Sequence, residues 1–375
     1  MKQPFVQIRA IDSYDLPQIE DAVKQWFDQL RDPKMGRSKR VLIKPNALGA
    51  YLPEQAVTTH PIVLEAIIRY FLKRKKEVWL GDSPGGTVSV QKVWDTCGWQ
   101  DLADRYPIKL VNLSTAGYRE LKYDGIPIKI SEALFQCGIV INVAKYKTHS
   151  LMAFTGALKN LYGLIPGMIK SEYHRTNPDT QSFAELLLAL YGLCRSKITY
   201  SIIDGIVGMD GIGPSAGNPK HFGLLMGSDN IPALDTIAAQ MMGLKITDVP
   251  YLWGALHREG ILPSRIHVPH SFINHRLADV DIRVVKMRKE GLKYMPKILR
   301  YAFRQVYYYY PEVSERCVRC GVCVKSCPVK AIAWQPNGYP RVDRDTCIKC
   351  MCCHELCPTQ AIDIHKSFVA RRFLK

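Results

Sequence analysis

The chain has 375 residues, of which 47% are hydrophobic, and a formal net charge of +17. This length suits two or three domains, and without a membrane-length apolar run or a secretion signal we expect a cytoplasmic protein with no transmembrane segment. The positive charge fits an anionic substrate, an acidic protein or an anionic membrane surface, whereas nucleic acid is disfavoured because no nucleic-acid-binding motif accompanies the charge.

Residues 1 to about 280 alternate between short apolar strands and amphipathic helices. Asp15 is predicted to cap the first helix, because Gln18 stands three residues later, and Pro61 lies at the start of a second helix. Strands are predicted at 40–43, 77–80, 109–113, 138–141, 199–203 and 221–226, with further helices at 90–106, 155–164, 182–195 and 232–242. This alternation indicates an α/β fold with a largely parallel or mixed sheet.

Polar segments follow four of the predicted strands and begin at Lys44, Gly81, Asn142 and Asp204. The carboxyl ends of parallel strands share one edge of a sheet, where ligands bind, so we expect these segments to converge on one site. His149 and Asp204 are the candidate proton donors. The predicted substrate-binding residues are Lys44, Asn46, Asp82, Lys145, Lys147 and Lys159, with His174 and Arg175 as further cations. Such a set, together with glycines that let backbone amides approach closely, favours a small anion such as a carboxylate or a phosphate.

Each of these residues also has a structural explanation. Lysines are mostly solvated, aspartates cap helices and glycines form turns. The segment 81–86 lacks the GK[ST] ending of a phosphate-binding loop and the GxGxxG pattern of a dinucleotide site, so a nicotinamide cofactor is disfavoured. A flavin is left open as a bound cofactor, although no sequence pattern supports it.

Several of these motifs together resemble one known family. They are Lys44-Pro45-Asn46, Gly81-Asp82-Ser83-Pro84, Asn142-x2-Lys145-x-Lys147-Thr148-His149, Lys159-Asn160-Leu161-x-Gly163, Asp204-Gly205 and Gly211-x-Gly213-Pro214. Over roughly residues 5 to 290 the chain is similar to the domain of unknown function 362 (DUF362) family, whose members often carry a ferredoxin-like domain. The resemblance implies an iron–sulfur protein of the kind found in anaerobes, and it supplies no reaction and no catalytic residue.

Residues 281–311 are basic and aromatic. Ile298, Ala302 and Val306 recur at helical spacing, which predicts an interdomain helix. The alternative is a docking surface for an anionic membrane or an acidic electron donor.

Nine of the twelve cysteines lie between Cys317 and Cys357, in two runs of the pattern C-x2-C-x2-C-x3-C-P. This region resembles bacterial two-cluster ferredoxins, in which three cysteines of a run bind one cluster and the fourth binds the other. We therefore assign one [4Fe–4S] cluster to Cys317, Cys320, Cys323 and Cys357, and a second to Cys347, Cys350, Cys353 and Cys327. Cys352 falls outside the repeat and is expected to be a spare thiol. Zinc is the alternative, but zinc sites usually separate their cysteine pairs by longer loops.

The predicted layout is a ligand-binding α/β domain at 1–280, the connecting segment at 281–311, and a small α+β ferredoxin-like domain at 312–375, in which Asn337-Gly338 predicts the turn of a β-hairpin. Because such clusters are low-potential electron carriers, we expect an iron–sulfur oxidoreductase that passes electrons to an anionic substrate or bound cofactor in the N-terminal domain. An electron donor or acceptor protein is the expected partner. The alternative is a non-enzymatic electron-transfer or assembly subunit that docks on a larger redox complex.

Overall fold

The computed structural model describes residues 3–282 and 309–368. The N-terminal region contains ten strands, β1 (Gln7–Ala10), β2 (Arg40–Lys44), β3 (Glu77–Asp82), β4 (Ile108–Asn112), β5 (Tyr118–Tyr123), β6 (Ile126–Ser131), β7 (Ile139–His149), β8 (Ala153–Thr155), β9 (Tyr200–Asp210) and β10 (Asn218–Ser228). Eight of them form one sheet in the order β1-β10-β9-β7-β2-β3-β4, with β8 paired to β7, while β5 and β6 form a separate hairpin.

The sheet is mixed, with a parallel centre. Neighbouring strands from β9 through β7, β2 and β3 to β4 run parallel, whereas β1, β10 and β8 each pair antiparallel. The fold class predicted from the sequence, α/β with a largely parallel or mixed sheet, is confirmed. The parallel strands bring their carboxyl ends to one edge, where a ligand crevice is expected.

Helices cover both faces of this sheet. They are α1 (Leu16–Gln29), α2 (Pro33–Arg37), α3 (Pro61–Leu72), α4 (Val90–Thr96), α5 (Trp99–Arg105), α6 (Ala133–Gln136), α7 (Ala157–Asn160), α8 (Ile169–Thr176), α9 (Thr180–Cys194), α10 (Ile231–Met241) and α11 (Leu252–Arg258). The predicted cap of the first helix is confirmed, since the Asp15 carboxylate accepts a hydrogen bond from the Gln18 amide at 2.9 Å. No helix in the two described ranges is long and apolar enough to cross a membrane.

Alternation along the central strands divides the core into two layers. Val41 and Ile43 of β2 pack with the face that carries α1 and α3, while Leu42 between them packs with the face that carries α9 and α10. Strand side chains point to opposite faces with a period of two, and a strand covered on both faces is apolar throughout. Each fully buried side chain of this size contributes about 1.5–3 kcal/mol.

Two strands extend beyond the bounds predicted from the sequence. The polar segment from Asn142 to His149, predicted to follow its strand, instead continues β7, and the segment from Asp204 to Asp210 continues β9. The predicted strand ends at residues 141 and 203 were therefore wrong, because a polar segment can continue a strand when its side chains find partners. In the structure these polar side chains are buried against partners from distant parts of the chain, and β7 keeps its ladder with β9 as far as Lys147.

The cysteine-rich region forms a small α+β unit. Its elements are β11 (Tyr309–Val313), α12 (Val322–Ser326), β12 (Ile332–Trp334), β13 (Pro340–Val342), α13 (Cys352–Glu355) and β14 (Ile362–Lys366). Strands β11 and β14 pair antiparallel, and β12 and β13 form the hairpin expected around Asn337-Gly338. The predicted connecting helix falls on residues 283–308, which lie outside the described residues.

The sequence repeat is also a repeat of backbone conformation. Positive φ angles recur thirty residues apart, in the pairs Arg319 and Lys349 (56° and 57°), Gly321 and Met351 (74° and 63°), and Lys330 and Gln360 (55° and 51°). The backbone therefore turns in the same way in both runs, and a short helix follows the second turn of each run. Since Met351 matches Gly321, Cys353 matches Cys323, and the register that sets Cys352 outside the repeat is supported.

Candidate functional site

Cysteines of both runs gather into two groups. One cavity is lined by Cys317, Cys320, Cys323 and Cys357, which is the set that combines three cysteines of the first run with the last of the second. In the other group, burial raises the pKa of the Cys347 thiol, and its neighbours Cys350 and Cys327 raise it further. Within the two described ranges, no three His, Cys, Asp or Glu side chains are placed to hold a single metal ion together.

The peptide backbone donates hydrogen bonds to these sulfurs in a pattern that repeats. The amides of Arg319 and Lys349 donate to Cys317 and Cys347 at 3.4 Å each. Those of Ala331 and Ala361 donate to Cys327 and Cys357 at 3.2 and 3.1 Å. Such N–H···S bonds stabilise thiolate ligands and help to set the reduction potential of a cluster. The donors present therefore fit iron–sulfur clusters.

The second run is packed against the α/β region. The Tyr51 hydroxyl lies 3.1 Å from the carbonyl oxygen of Glu355 and 3.2 Å from that of Cys357, and Gln360 Nε2 donates to the carbonyl of Ser215 at 2.7 Å. A Cβ added at Gly85 would lie 2.6 Å from Leu356 Cδ2. The glycine segment that follows β3 therefore lets the cysteine-rich unit approach the sheet edge closely, which is a packing role that the sequence did not reveal.

A polar cavity of about 100 Å³ lies where the two regions meet, and we call it the junction pocket. Its α/β side includes Asn46, Asp82, Thr155, Lys159, Lys170 and His174, and its other side is formed by Cys352, Glu355 and Leu356. A cavity of this volume has room for several waters or for a small ligand. The pocket contains four residues of the predicted site, Asn46, Asp82, Lys159 and His174.

Lys44 and Asp82 form a buried ion pair beneath the pocket. The Lys44 amine lies 2.8 Å from Asp82 Oδ1, with side-chain exposures of 0% and 2%. The other carboxylate oxygen accepts a hydrogen bond from the Ala47 amide at 2.7 Å. Burial lowers the pKa of Lys44, and the Asp82 carboxylate opposes that effect. Lys44 is therefore held by its partner and does not point freely towards a ligand.

Replacing Gly163 with alanine is expected to destabilise the protein by about 1–3 kcal/mol, because overpacking forces neighbouring groups apart. The added Cβ would lie 2.1 Å from Asp82 Oδ1 and 2.5 Å from Lys44 Nζ. Chemical denaturation measures the effect. Gly36→Ala is the matched control, since no atom lies within 4 Å of its added Cβ and Gly36 lies in helix α2. Equal stability of the two variants would contradict the close packing of Gly163 against the Lys44–Asp82 ion pair.

A chain of amides positions Asn46. Its Nδ2 donates to Asn160 Oδ1 at 3.1 Å, and Asn160 Nδ2 donates in turn to Asn142 Oδ1 at 2.8 Å. The side-chain oxygen of Asn46, Oδ1, is buried and has no hydrogen-bond partner among the described residues. The same holds for Thr155 Oγ1 and His174 Nδ1. Buried polar atoms are rarely left unpaired, so three such atoms around one pocket indicate a missing ligand or water.

Two lysines supply positive charge to the junction pocket. Burial lowers the pKa of Lys159, whereas nearby Glu355 and Cys352 raise it. Burial also lowers the pKa of Lys170, to about 7, against the opposing effect of Asp82. Lys170 thus changes charge near neutral pH. Sequence reasoning missed Lys170, although it precedes His174 by one helical turn in α8 and both line the pocket.

Lys145 and Asp204 form a second buried ion pair, apart from the residues that line the junction pocket. Their charged atoms lie 2.8 Å apart, and both side chains are fully buried. Asp204 also accepts hydrogen bonds from the Tyr14 hydroxyl at 3.1 Å and from the His60 amide at 3.0 Å. By accepting from these three donors, the Asp204 carboxylate connects β9 to the start of α3 and to the chain before α1.

The remaining predicted residues lie in separate positions. Lys147 is buried and donates to the carbonyl of Val57 at 2.6 Å. His149 accepts hydrogen bonds at Nδ1 from the amides of Leu151 and Met152, which leaves the proton on Nε2, 3.5 Å from Glu355 Oε1. Arg175 pairs with Glu172 on the surface. The sheet edge therefore gathers most of the predicted residues, but Lys145, Lys147, His149 and Asp204 lie outside the lining of the junction pocket.

Known proteins match both regions of the chain. The sequence profile of the domain of unknown function DUF362 matches residues 41–240, more than half of the chain. The chain belongs to the DUF362 family. A 4Fe–4S dicluster domain matches residues 316–371, so this DUF362 protein is an iron–sulfur protein, and the suspected combination of domains is confirmed. The boundaries at residues 280 and 311 stay predictions.

Other proteins are similar at greater distance. A thylakoid-associated protein of Synechocystis sp. is 27% identical over 270 residues, which cover 72% of this DUF362 protein and 83% of the relative. A Thermotoga maritima protein solved by structural genomics aligns with a TM-score of 0.40 and 14% identity, over 61% of this chain and 59% of its own. The lactate racemase apoprotein of Thermoanaerobacterium thermosaccharolyticum aligns with a TM-score of 0.41 and 13% identity, over 64% and 57%. The chain spans less than two thirds of either solved protein.

Proposed function

We propose that this protein is an oxidoreductase that passes electrons through two [4Fe–4S] clusters to a small anion bound in the junction pocket. One observation carries the proposal: the pocket is closed on one side by Lys159 and Lys170, and on the other by Cys352 and Glu355 of helix α13. That helix also contains Cys353, a proposed ligand of the second cluster. An electron on the second cluster would therefore be one short helix away from the bound anion.

The polar groups of the pocket define what it binds. Lys159 and Lys170 attract negative charge, and their attraction is strengthened where water is excluded. Asn46 Oδ1 is an unpaired acceptor, so a ligand that also carries a hydroxyl or amino donor satisfies more of the pocket than a plain anion does. The substrate class is thus a small carboxylate or phosphate with an attached hydrogen-bond donor.

Proton supply is assigned to Lys170, which lines the pocket and whose pKa of about 7 suits a general acid at neutral pH. His149 and Asp204, the donors expected from the sequence, are assigned positioning roles. His149 lies against Glu355, which forms part of the pocket wall, and Asp204 holds Lys145 at the sheet edge. The clusters supply electrons when bound. The predicted cytoplasmic location is retained as part of the proposal.

Re-oxidation of chemically reduced protein tests this function. Anaerobic, dithionite-reduced protein is mixed with a panel of small hydroxy, oxo and amino carboxylates and phosphates, and the cluster absorbance is followed in time. We expect at least one compound to re-oxidise the clusters. Lys159→Met should slow that reaction about tenfold or more, since a hydrogen bond to a charged group contributes about 1.5–3 kcal/mol.

The control is Lys24→Met, because Lys24 is 69% exposed on helix α1, and this variant should react like the unaltered protein. A panel in which no compound re-oxidises the clusters faster than buffer does would remove the enzymatic proposal and favour the non-enzymatic electron-transfer subunit. A Lys159→Met protein with full activity would move the substrate site away from the junction pocket.

A further inference from the structure

The two cysteine runs differ in their exposure. Cys320 of the first run is exposed, whereas its counterpart Cys350 in the second run is 9% exposed. Val318 is 60% exposed next to Cys320, and Trp334 is 47% exposed. Among the described cysteines Cys320 alone is exposed, so the first proposed cluster comes nearest to solvent at that ligand.

Five exposed residues lie on the turn that contains Cys320 or on the neighbouring hairpin, and we call them the first-run face: Val318, Arg319, Cys320, Trp334 and Arg341. A Cβ added at Gly321 would lie 3.2 Å from the Trp334 ring, so the tryptophan packs against the turn that contains Cys320. The Arg319 guanidinium lies 4.2 Å above the Tyr339 ring, on the same hairpin. In that hairpin Ala333, next to Trp334, stands opposite Arg341.

The composition of this face is typical of a protein interface. Tryptophan and arginine are enriched at the centres of interfaces and dominate their binding energy. Within the described ranges, neither Arg319 nor Arg341 forms a salt bridge with a carboxylate of this chain, so both charges are available to a partner. The chain as a whole carries a net charge of +17, which steers acidic proteins towards it.

We propose that a reduced one-electron carrier protein with an acidic surface docks on the first-run face and delivers electrons to the first cluster. The second cluster then receives them; its proposed ligand Cys353 lies in helix α13, which borders the junction pocket. The proposal rests on the proposed function only in taking the clusters as electron carriers. In each encounter with a flavodoxin-type carrier, one electron leaves the flavin hydroquinone, which becomes the semiquinone, and one cluster gains that electron.

Anaerobic stopped-flow mixing with photoreduced flavodoxin, an acidic carrier, tests the docking. At low ionic strength, flavodoxin should reduce the double variant Arg319→Glu/Arg341→Glu at least about tenfold more slowly than the unaltered protein, because charges at the rim of an interface act mainly on the association rate. At high salt the two reduction rates should become more similar, because salt screens these charges. Trp334→Ala should slow reduction at both salt concentrations, because its contact with the partner is apolar.

The matched control is Lys73→Glu/Lys122→Glu, which changes the net charge equally at exposed positions of the α/β region. Iron content and reduction by dithionite should be unchanged in every variant, which separates docking from cluster loss. Unaltered flavodoxin kinetics in Arg319→Glu/Arg341→Glu at low salt, or equal slowing in the control, would overturn the proposal. The substrate function is tested separately, since dithionite bypasses the docking surface.

Discussion

Cys353→Ser is expected to lower the iron content from about eight to about four atoms per chain, whereas Cys352→Ser should leave it unchanged. The two cysteines are adjacent, and both are buried. Cys353 corresponds to Cys323 in the repeated backbone conformation, while Cys352 lines the junction pocket. Cys353→Ser therefore tests which cysteines of the second run bind iron, and Cys352→Ser is the control, since it makes the same substitution one residue away.

The measurement is anaerobic quantitation of iron and acid-labile sulfide, together with thermal unfolding. A unit this small has little core of its own, so loss of one cluster should unfold much of it and open the junction pocket. Cys352→Ser should keep both the iron and the fold. Iron loss in Cys352→Ser alone would shift the ligand register by one residue, and zinc without sulfide in the unaltered protein would contradict the cluster assignment.

Asp204→Ala is expected to reduce the free energy of unfolding by about 3–5 kcal/mol, the cost of leaving a buried charge without its partner. Lys145 is fully buried, and its amine lies 2.8 Å from Asp204. Burial lowers the pKa of Lys145, and the Asp204 carboxylate is what raises it again. Without that carboxylate, the fold must either bury an uncompensated ammonium or deprotonate it.

Urea unfolding, compared across a double-mutant cycle, measures this coupling. The double variant Lys145→Met/Asp204→Ala should lose less free energy of unfolding than the sum of the two single variants, because it leaves neither charge buried without its partner. Asp104→Ala, at an exposed position, should stay within about 0.5 kcal/mol of the unaltered protein. A stable Asp204→Ala protein that fails to turn over would instead restore the role of proton donor that the sequence suggested.

The amino-acid sequence by itself determined the parts of this protein that depend on local patterns. The spacing of the cysteine runs predicted the iron–sulfur domain, because three of the four thiolates that bind each cluster come from neighbouring turns of the chain. The cap at Asp15 and the hairpin at Asn337-Gly338 were likewise predicted, since each depends on interactions within a few residues. The alternation of strands and helices was enough to give the fold class.

Only the tertiary structure decided how the polar residues are grouped. The strand predicted to end at residue 141 continues from Asn142 to His149, because the cost of burying these polar side chains is offset by partners such as Asp204, far away in the sequence. Cys352 and Glu355 join Lys159 in one pocket although about 200 residues separate them. Such long-range pairings leave no local signal, because they are stabilised only once the chain has closed the intervening loop.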